Sequence, residues 1–97
     1  MDELLIAEAA EEEYTESLKC YAERSLRAAE RFDAAFEQAL NSIAAHPERY
    51  PFCDDRHRFY LLKGYPFQII DRRASENQWL VVAVAHTSRS PDYWRYR

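Results

Sequence analysis

His86, Arg89 and Tyr93 follow one another at spacings of three and four residues, and between them they carry an imidazole, a guanidinium and a phenol. Metal-free cleavage of RNA by its own 2′-hydroxyl needs a base for that proton, an acid for the leaving oxygen and cations around the phosphorane-like transition state. These three side chains are therefore the candidate catalytic set. A second set, Arg56, Arg58, Lys63, Arg72, Arg73, Trp94 and Arg95, offers cations and an aromatic face for phosphate or for a protein target. Each has a plainer role to be weighed against these: arginines solvate strand edges, and Tyr93 and Trp94 can seal the end of a core.

The charge balance bears on that choice. Residues 1–48 carry 12 acids and 4 bases, residues 49–97 carry 5 acids and 9 bases, and the whole has a net charge of −4. The basic half is where an anionic ligand or acidic partner would dock. A protein working on the ribosome usually presents strong positive charge, because counterion release supplies much of the affinity for phosphates. The pI near 5.3, with Lys63 the only lysine of the basic half, argues against ribonuclease activity.

No metal or redox chemistry is expected. His46, His57, His86, Cys20 and Cys53 share no ligand spacing, the two thiols are expected to pack as small hydrophobes, and no cofactor motif is present. His46 falls at a helix end and His57 within a strand, both structural positions. His86, beside Arg89 at the end of the last strand, is the histidine kept as functional.

The elements that must position these residues follow from periodicity. With 97 residues there is room for a single domain, residues 1–97. After a short apolar run, Leu4-Leu5-Ile6, the residues Ala10, Tyr14, Leu18 and Tyr21 recur at helical spacing with glutamates between them, which predicts an amphipathic helix. Ser25 can cap a second helix with a core stripe of Ala29, Phe32, Phe36, Leu40 and Ile43, ended by Pro47. The two form a helical hairpin.

Residues 47–55, with two prolines and no period, read as a loop. Arg56 to Leu62, Phe67 to Arg72 and Trp79 to Ala85 then read as three strands, joined by turns at 63–66 and 74–77. The last is almost wholly apolar, as a strand buried on both faces would be. The expected fold is α+β, an N-terminal helical hairpin packed on a three- to four-stranded, mainly antiparallel sheet, with the tail 86–97 at its edge or end. No apolar run reaches the length of a membrane span and the acidic start lacks the basic flank of a signal peptide, so a cytoplasmic protein is expected.

Several stretches resemble one known family. Ala9 to Glu13 is similar to the alanine-and-acid start of its first helix, Ala28-Ala29-Glu30-Arg31-Phe32 to the start of its second, and His46-Pro47 to the proline that ends it. Tyr65-Pro66-Phe67-Gln68-Ile69-Ile70 and Val82-Ala83-Val84-Ala85-His86 resemble two of its strands, and His86-Thr87-Ser88-Arg89-Ser90-Pro91-Asp92-Tyr93-Trp94 resembles its tail. In order and spacing these resemble the RelE/ParE toxins of type II toxin–antitoxin systems, the plasmid-stabilisation type, over nearly the whole chain. The resemblance implies a toxin neutralised by a cognate antitoxin whose helix and extended segment wrap it. It implies one of two targets, DNA gyrase for ParE-like members or messenger RNA in the ribosomal decoding site for RelE-like endoribonucleases. The leading expectation is ParE-like inhibition of gyrase; the alternatives are a ribosome-dependent RNA-cleaving enzyme and a non-toxic binding module. The antitoxin is expected at the exposed sheet edge and the groove beside the helical hairpin. An unpaired edge also permits a homodimer or a toxin–antitoxin heterotetramer.

Overall fold

The computed structural model describes residues 2–90 and 92–97; Met1 and Pro91, the latter part of the tail motif above, lie outside the described residues. Strand β1 (Glu3–Ile6) leads into helix α1 (Glu8–Arg24), helix α2 (Leu26–Ala45) and strands β2 (His57–Leu61), β3 (Phe67–Ser75) and β4 (Gln78–His86). The sheet order is β1-β4-β3-β2. β2, β3 and β4 form an antiparallel meander, and β1 lies parallel to β4 on its far side.

The helical hairpin forms where the sequence placed it. Ser25 Oγ accepts the Ala28 N–H at 3.0 Å, satisfying one of the donors that the first turn of α2 leaves free. α2 closes at His46, one residue before the proline that cannot continue it. Its buried stripe is Ala29, Phe32, Phe36, Ala39 and Ile43; Leu40 is half-buried beside it. α1 buries only Ala10 fully and lays Tyr14, Leu18 and Tyr21 half-buried across α2. The rings of Tyr14 and Phe36 stack at 4.3 Å, those of Tyr21 and Phe32 at 4.8 Å, and Phe32 meets Phe67 of the sheet at 5.5 Å. Each such pair adds about 0.5–1.5 kcal/mol to the burial of its area, so this aromatic column binds the hairpin to the sheet.

The strands run slightly differently from their sequence outlines. β3 extends three residues further, through Ser75, and the turn into β4 narrows to Glu76-Asn77. β2 begins at His57 because Asp54 Oδ1 accepts the N–H groups of both Arg56 and His57 and holds Arg56 in a turn. At the next turn the chain passes through φ +85° at Gly64, a backbone conformation that costs glycine little.

A register shift opposite Ile70 and Asp71 puts a bulge in β4. Val81 and Val84 join the helix-side core, while Val82, Ala83 and Ala85 join a second cluster with Ile70 and Trp94. The tail therefore does not stop at the sheet's edge or end, as the sequence suggested; it crosses and covers the second face. The reason is the composition of β4. A strand apolar on both sides leaves a face of valine and alanine that water would otherwise meet, and Trp94, 6% exposed, closes it.

Both cysteines are exposed, which corrects the expectation of packed thiols: Cys20 lines an open groove between α1 and the sheet, and Cys53 lies in the loop before β2. Cys53 Sγ nonetheless donates to the His57 carbonyl at 3.4 Å, and desolvation there pushes its thiol up to about 11. Among the described residues, no helix is long and apolar enough to cross a membrane and no three metal-capable side chains cluster.

Candidate functional site

The tail is fastened to α1 through one carboxylate that the sequence reading left in the acidic run. Glu13 Oε1 accepts the backbone N–H of Val84 at 3.0 Å and a guanidinium N–H of Arg97 at 3.1 Å. Its Oε2 accepts the phenol of Tyr93 at 2.7 Å and Arg89 at 3.4 Å. β1 ends beside Val81, so the stretch of β4 beyond it has no neighbouring strand on that side, and Glu13 takes the place of one at Val84. Arg97 also donates to the Val82 carbonyl, within the bulge, at 3.1 Å. Glu13 thus joins the helical layer, the central strand and the tail. Its sequence signal was slight: it follows Ala10 by three, at the margin of the buried stripe.

This arrangement decides what the candidate catalytic residues can do. Tyr93 donates its proton to Glu13, and burial and that carboxylate together hold the phenol well above the usual tyrosine range. Arg89 and Arg97 lie over the Tyr93 ring at 4.1 and 5.0 Å, stacked cations rather than free ones. His86 Nδ1 takes the Ser88 N–H at 3.0 Å and lies 2.7 Å from Ser88 Oγ, which leaves Nε2 as the nitrogen not engaged. His86 and Arg89 do share a groove of about 490 Å³ between α1 and the sheet, with Arg24, Tyr21 and Phe67 on its walls. Tyr93 does not line it.

The second candidate set is scattered. Arg58 is half-buried, donates to the carbonyls of Glu48 and Tyr50 at 3.1 and 2.6 Å, and stacks on Phe52 at 3.9 Å, all of which pins the 47–55 loop. Arg72 holds the Arg97 carbonyl at 3.1 Å, and Arg73 pairs with Glu48 at 2.5 Å over the Trp79 ring. Trp94 is core. Arg56 and Arg95 come together with Asp54, Asp55 and Tyr96 on a shallow surface, and Arg95 pairs with Asp92 at 3.7 Å. Lys63 is exposed at the far hairpin turn.

Two polar groups are buried, His57, read from the sequence as a structural strand residue, and Asp71, which the sequence reading did not single out. His57 is fully buried, its Nδ1 2.8 Å from Asp54 and its ring edge-on to Trp94 at 5.0 Å. Asp71 is 3% exposed with Oδ2 unpartnered, and burial pushes its carboxyl up to about 7 against the opposing pull of Arg58. A lone acid after Ile69-Ile70 in a strand was the available signal for it.

The protein is a helical hairpin and a four-stranded sheet joined to the tail through Glu13, with a groove between α1 and the sheet. Its fold is that of toxin–antitoxin proteins: a solved structure described as the chromosomal ParDE TA system from P. aeruginosa superimposes with a TM-score of 0.65 at 14% identity, covering 91% of this chain and 98% of that one. Among curated proteins none matches significantly. The profile of the ParE toxin of the type II toxin–antitoxin system parDE matches residues 4–91, and the chain belongs to that family.

Proposed function

We propose that this ParE-family toxin acts by binding DNA gyrase and blocking supercoiling, and that a cognate antitoxin holds it inactive. One observation carries the choice of target: the Tyr93 phenol and the Arg89 and Arg97 guanidinium groups are each engaged by the carboxylate of Glu13, an internal anion on the wall of the groove where a scissile phosphate would have to compete with it. A phenol serves as a general base only once deprotonated, whereas burial and Glu13 hold Tyr93 protonated, and as an acid its proton is already committed to Glu13 rather than to a leaving oxygen. Binding to a protein target needs no such release. The acidic pI supports the same reading, since affinity for ribosomal RNA is drawn largely from positive charge. The alternative, ribosome-dependent mRNA cleavage, retains one supporting feature: His86 and Arg89 share a groove.

Purified gyrase relaxes or supercoils plasmid DNA in a gel assay, and the toxin at micromolar excess is expected to inhibit that reaction. Primer extension on a reporter message in a cell-free translation reaction supplies the opposing arm. Cuts that vanish when ribosomes are omitted, with supercoiling untouched, would replace this reading by the ribonuclease. Undisturbed growth on induction of a folded chain would leave only a non-toxic binding module.

A further inference from the structure

The loop between α2 and β2 covers the outer edge of the sheet with few backbone bonds. The Cys53 N–H bonds the His57 carbonyl at 2.8 Å, the Phe59 N–H bonds the Pro51 carbonyl at 3.1 Å, and Phe52 bridges to Arg58 between them. The pairing goes no further, because Pro51 has no N–H to return to the Phe59 carbonyl. Arg58 supplies the rest of the hold: Nη1 donates to the carbonyls of Glu48 and Tyr50 at 3.1 and 2.6 Å, and the guanidinium lies over the Phe52 ring at 3.9 Å.

Directly across the strand pair from Arg58 stands Asp71. Tyr60 and Ile69 both pack on the helix-side core, so by the alternation of a strand Arg58 and Asp71 share that face. Opposite charges in register on one face of an antiparallel pair ordinarily meet. These two do not. Among the described residues Asp71 forms no ion pair, its Oδ2 has no hydrogen-bond partner, and it is buried, while the arginine is spent on the loop. That arrangement suits a neutral carboxyl, since an unpaired carboxylate cannot be buried without a large desolvation cost.

The surrounding groups leave Arg58 as the partner for an ionised Asp71. On β4 the residue opposite is Val81, the buried stripe of α2 is apolar, and Arg73 further along β3 is paired with Glu48 of the loop. The Cys53 thiol, held protonated by desolvation, brings no charge, and Arg58 is the charged group that acts on the Asp71 carboxyl.

We propose that Asp71 and Arg58 form a latch on this loop: when Asp71 ionises, Arg58 turns from the loop carbonyls to the carboxylate, and the Pro51–Cys53 stretch lifts from β2. The proton passes to solvent. Tyr50 against Tyr60 and Asp54 on the His57 N–H stay in place as the two ends of the moving stretch. Opening bares the His57 carbonyl and the Phe59 N–H on the outer edge of the sheet and uncovers one face of the Phe52 ring. The latch is independent of the toxin reading.

The direction with pH follows from which state binds the proton. The closed form, with Asp71 buried and unpaired, holds it up to about pH 7, whereas the open form, with the carboxylate paired, releases it in the ordinary acid range or below. Opening therefore grows about tenfold per pH unit from about 4 to about 7 and levels off above. Amide hydrogen exchange of the full chain, followed by nuclear magnetic resonance from about pH 5 to about pH 8 and corrected for the intrinsic base-catalysed rate, reads that opening at Cys53 and Phe59. Their protection is expected to fall about tenfold per unit up to about pH 7 and then hold, while staying well below that of the most protected β4 amides, which report global unfolding. In Asp71→Asn the slope at Cys53 and Phe59 disappears. Arg58→Gln, which cannot pin the loop with a charge, is expected to lower their protection about tenfold at the acid end of the range. Flat protection in the unsubstituted chain, a slope that survives in Asp71→Asn, or undiminished protection in Arg58→Gln overturns the proposal. So does exchange of Cys53 and Phe59 at the same protection as the β4 amides, which would make Asp71 a determinant of global stability alone.

Discussion

Truncating Glu13 to alanine tests the claim that one carboxylate holds three layers together. The substitution removes four acceptor contacts at once, of which three involve part-buried groups: the Val84 N–H, the Tyr93 phenol and Arg97. Arg89, 55% exposed and 3.4 Å away, is a solvent-screened contact worth at most about 1 kcal/mol. The Val84 N–H has no strand on that side to turn to, and an unsatisfied buried donor costs about 1–3 kcal/mol. Loss of the charge-assisted bonds to Tyr93 and Arg97 adds a similar amount, reduced because Arg97 is 31% exposed and can turn to water. A total near 3 kcal/mol follows, a large share of the 5–15 kcal/mol that holds a domain together. For a chain of this size it corresponds to a fall in melting temperature of roughly 12–24 °C. Urea and thermal melts of Glu13→Ala measure it, and a double-mutant cycle of Glu13→Gln with Tyr93→Phe isolates the phenol bond. A loss below about 1 kcal/mol in the alanine variant, or strictly additive effects in the cycle, would refute the view of Glu13 as the fastening.

Three further outcomes are expected. Asp71 titrates at about 7 in the folded chain against an ordinary 3.8, so the native state holds its proton more tightly than the unfolded one. Stability should therefore fall as pH rises from about 4 to about 7 and level off above, by at most about 4 kcal/mol; Asp71→Asn should flatten that part of the profile in pH-dependent urea melts, and an unchanged slope would exclude Asp71 as its source. Ser25→Ala deletes the α2 cap and should cost about 1 kcal/mol in the same assay, whereas Ser25→Gly should cost only a few tenths. Phe32→Ala opens a cavity where α1, α2 and the sheet meet and should cost about 3–5 kcal/mol, with near-ultraviolet circular dichroism reporting loss of the aromatic packing.

Position along the chain and apolar period were enough to read the helical hairpin and the meander, whereas the family came from the resemblance of particular stretches in their order. Ser25, Pro47, the helical recurrence of Phe32, Phe36 and Ile43, and the valine run of β4 are local signals, because capping, ring closure at proline and side-chain periodicity act within a few residues. The double burial of β4 was legible for the same reason, although not what would bury its second face. That required the tail to fold back over the sheet and place Trp94 on Val82 and Ala83, a contact between distant parts of one strand order.

The candidate site was less legible. His86, Arg89 and Tyr93 looked like one unit because they are close in sequence, but tertiary structure commits the Tyr93 phenol to Glu13, 80 residues earlier, with Arg89 over its ring, and the groove that His86 and Arg89 line does not include Tyr93. Glu13 looked like one more solvated acid among Glu11, Glu12 and Glu16. Which of four similar carboxylates becomes the fastening depends on the rotation of α1 over β4, and that rotation is fixed by the stacking of Tyr14 and Tyr21 on α2. Composition determined that the N-terminal half would be acidic; only the packing of β1 against the hairpin gathered Glu11, Asp33 and Glu37 around one apolar groove. The charge of a side chain is a property of its residue, whereas its partner is a property of the fold.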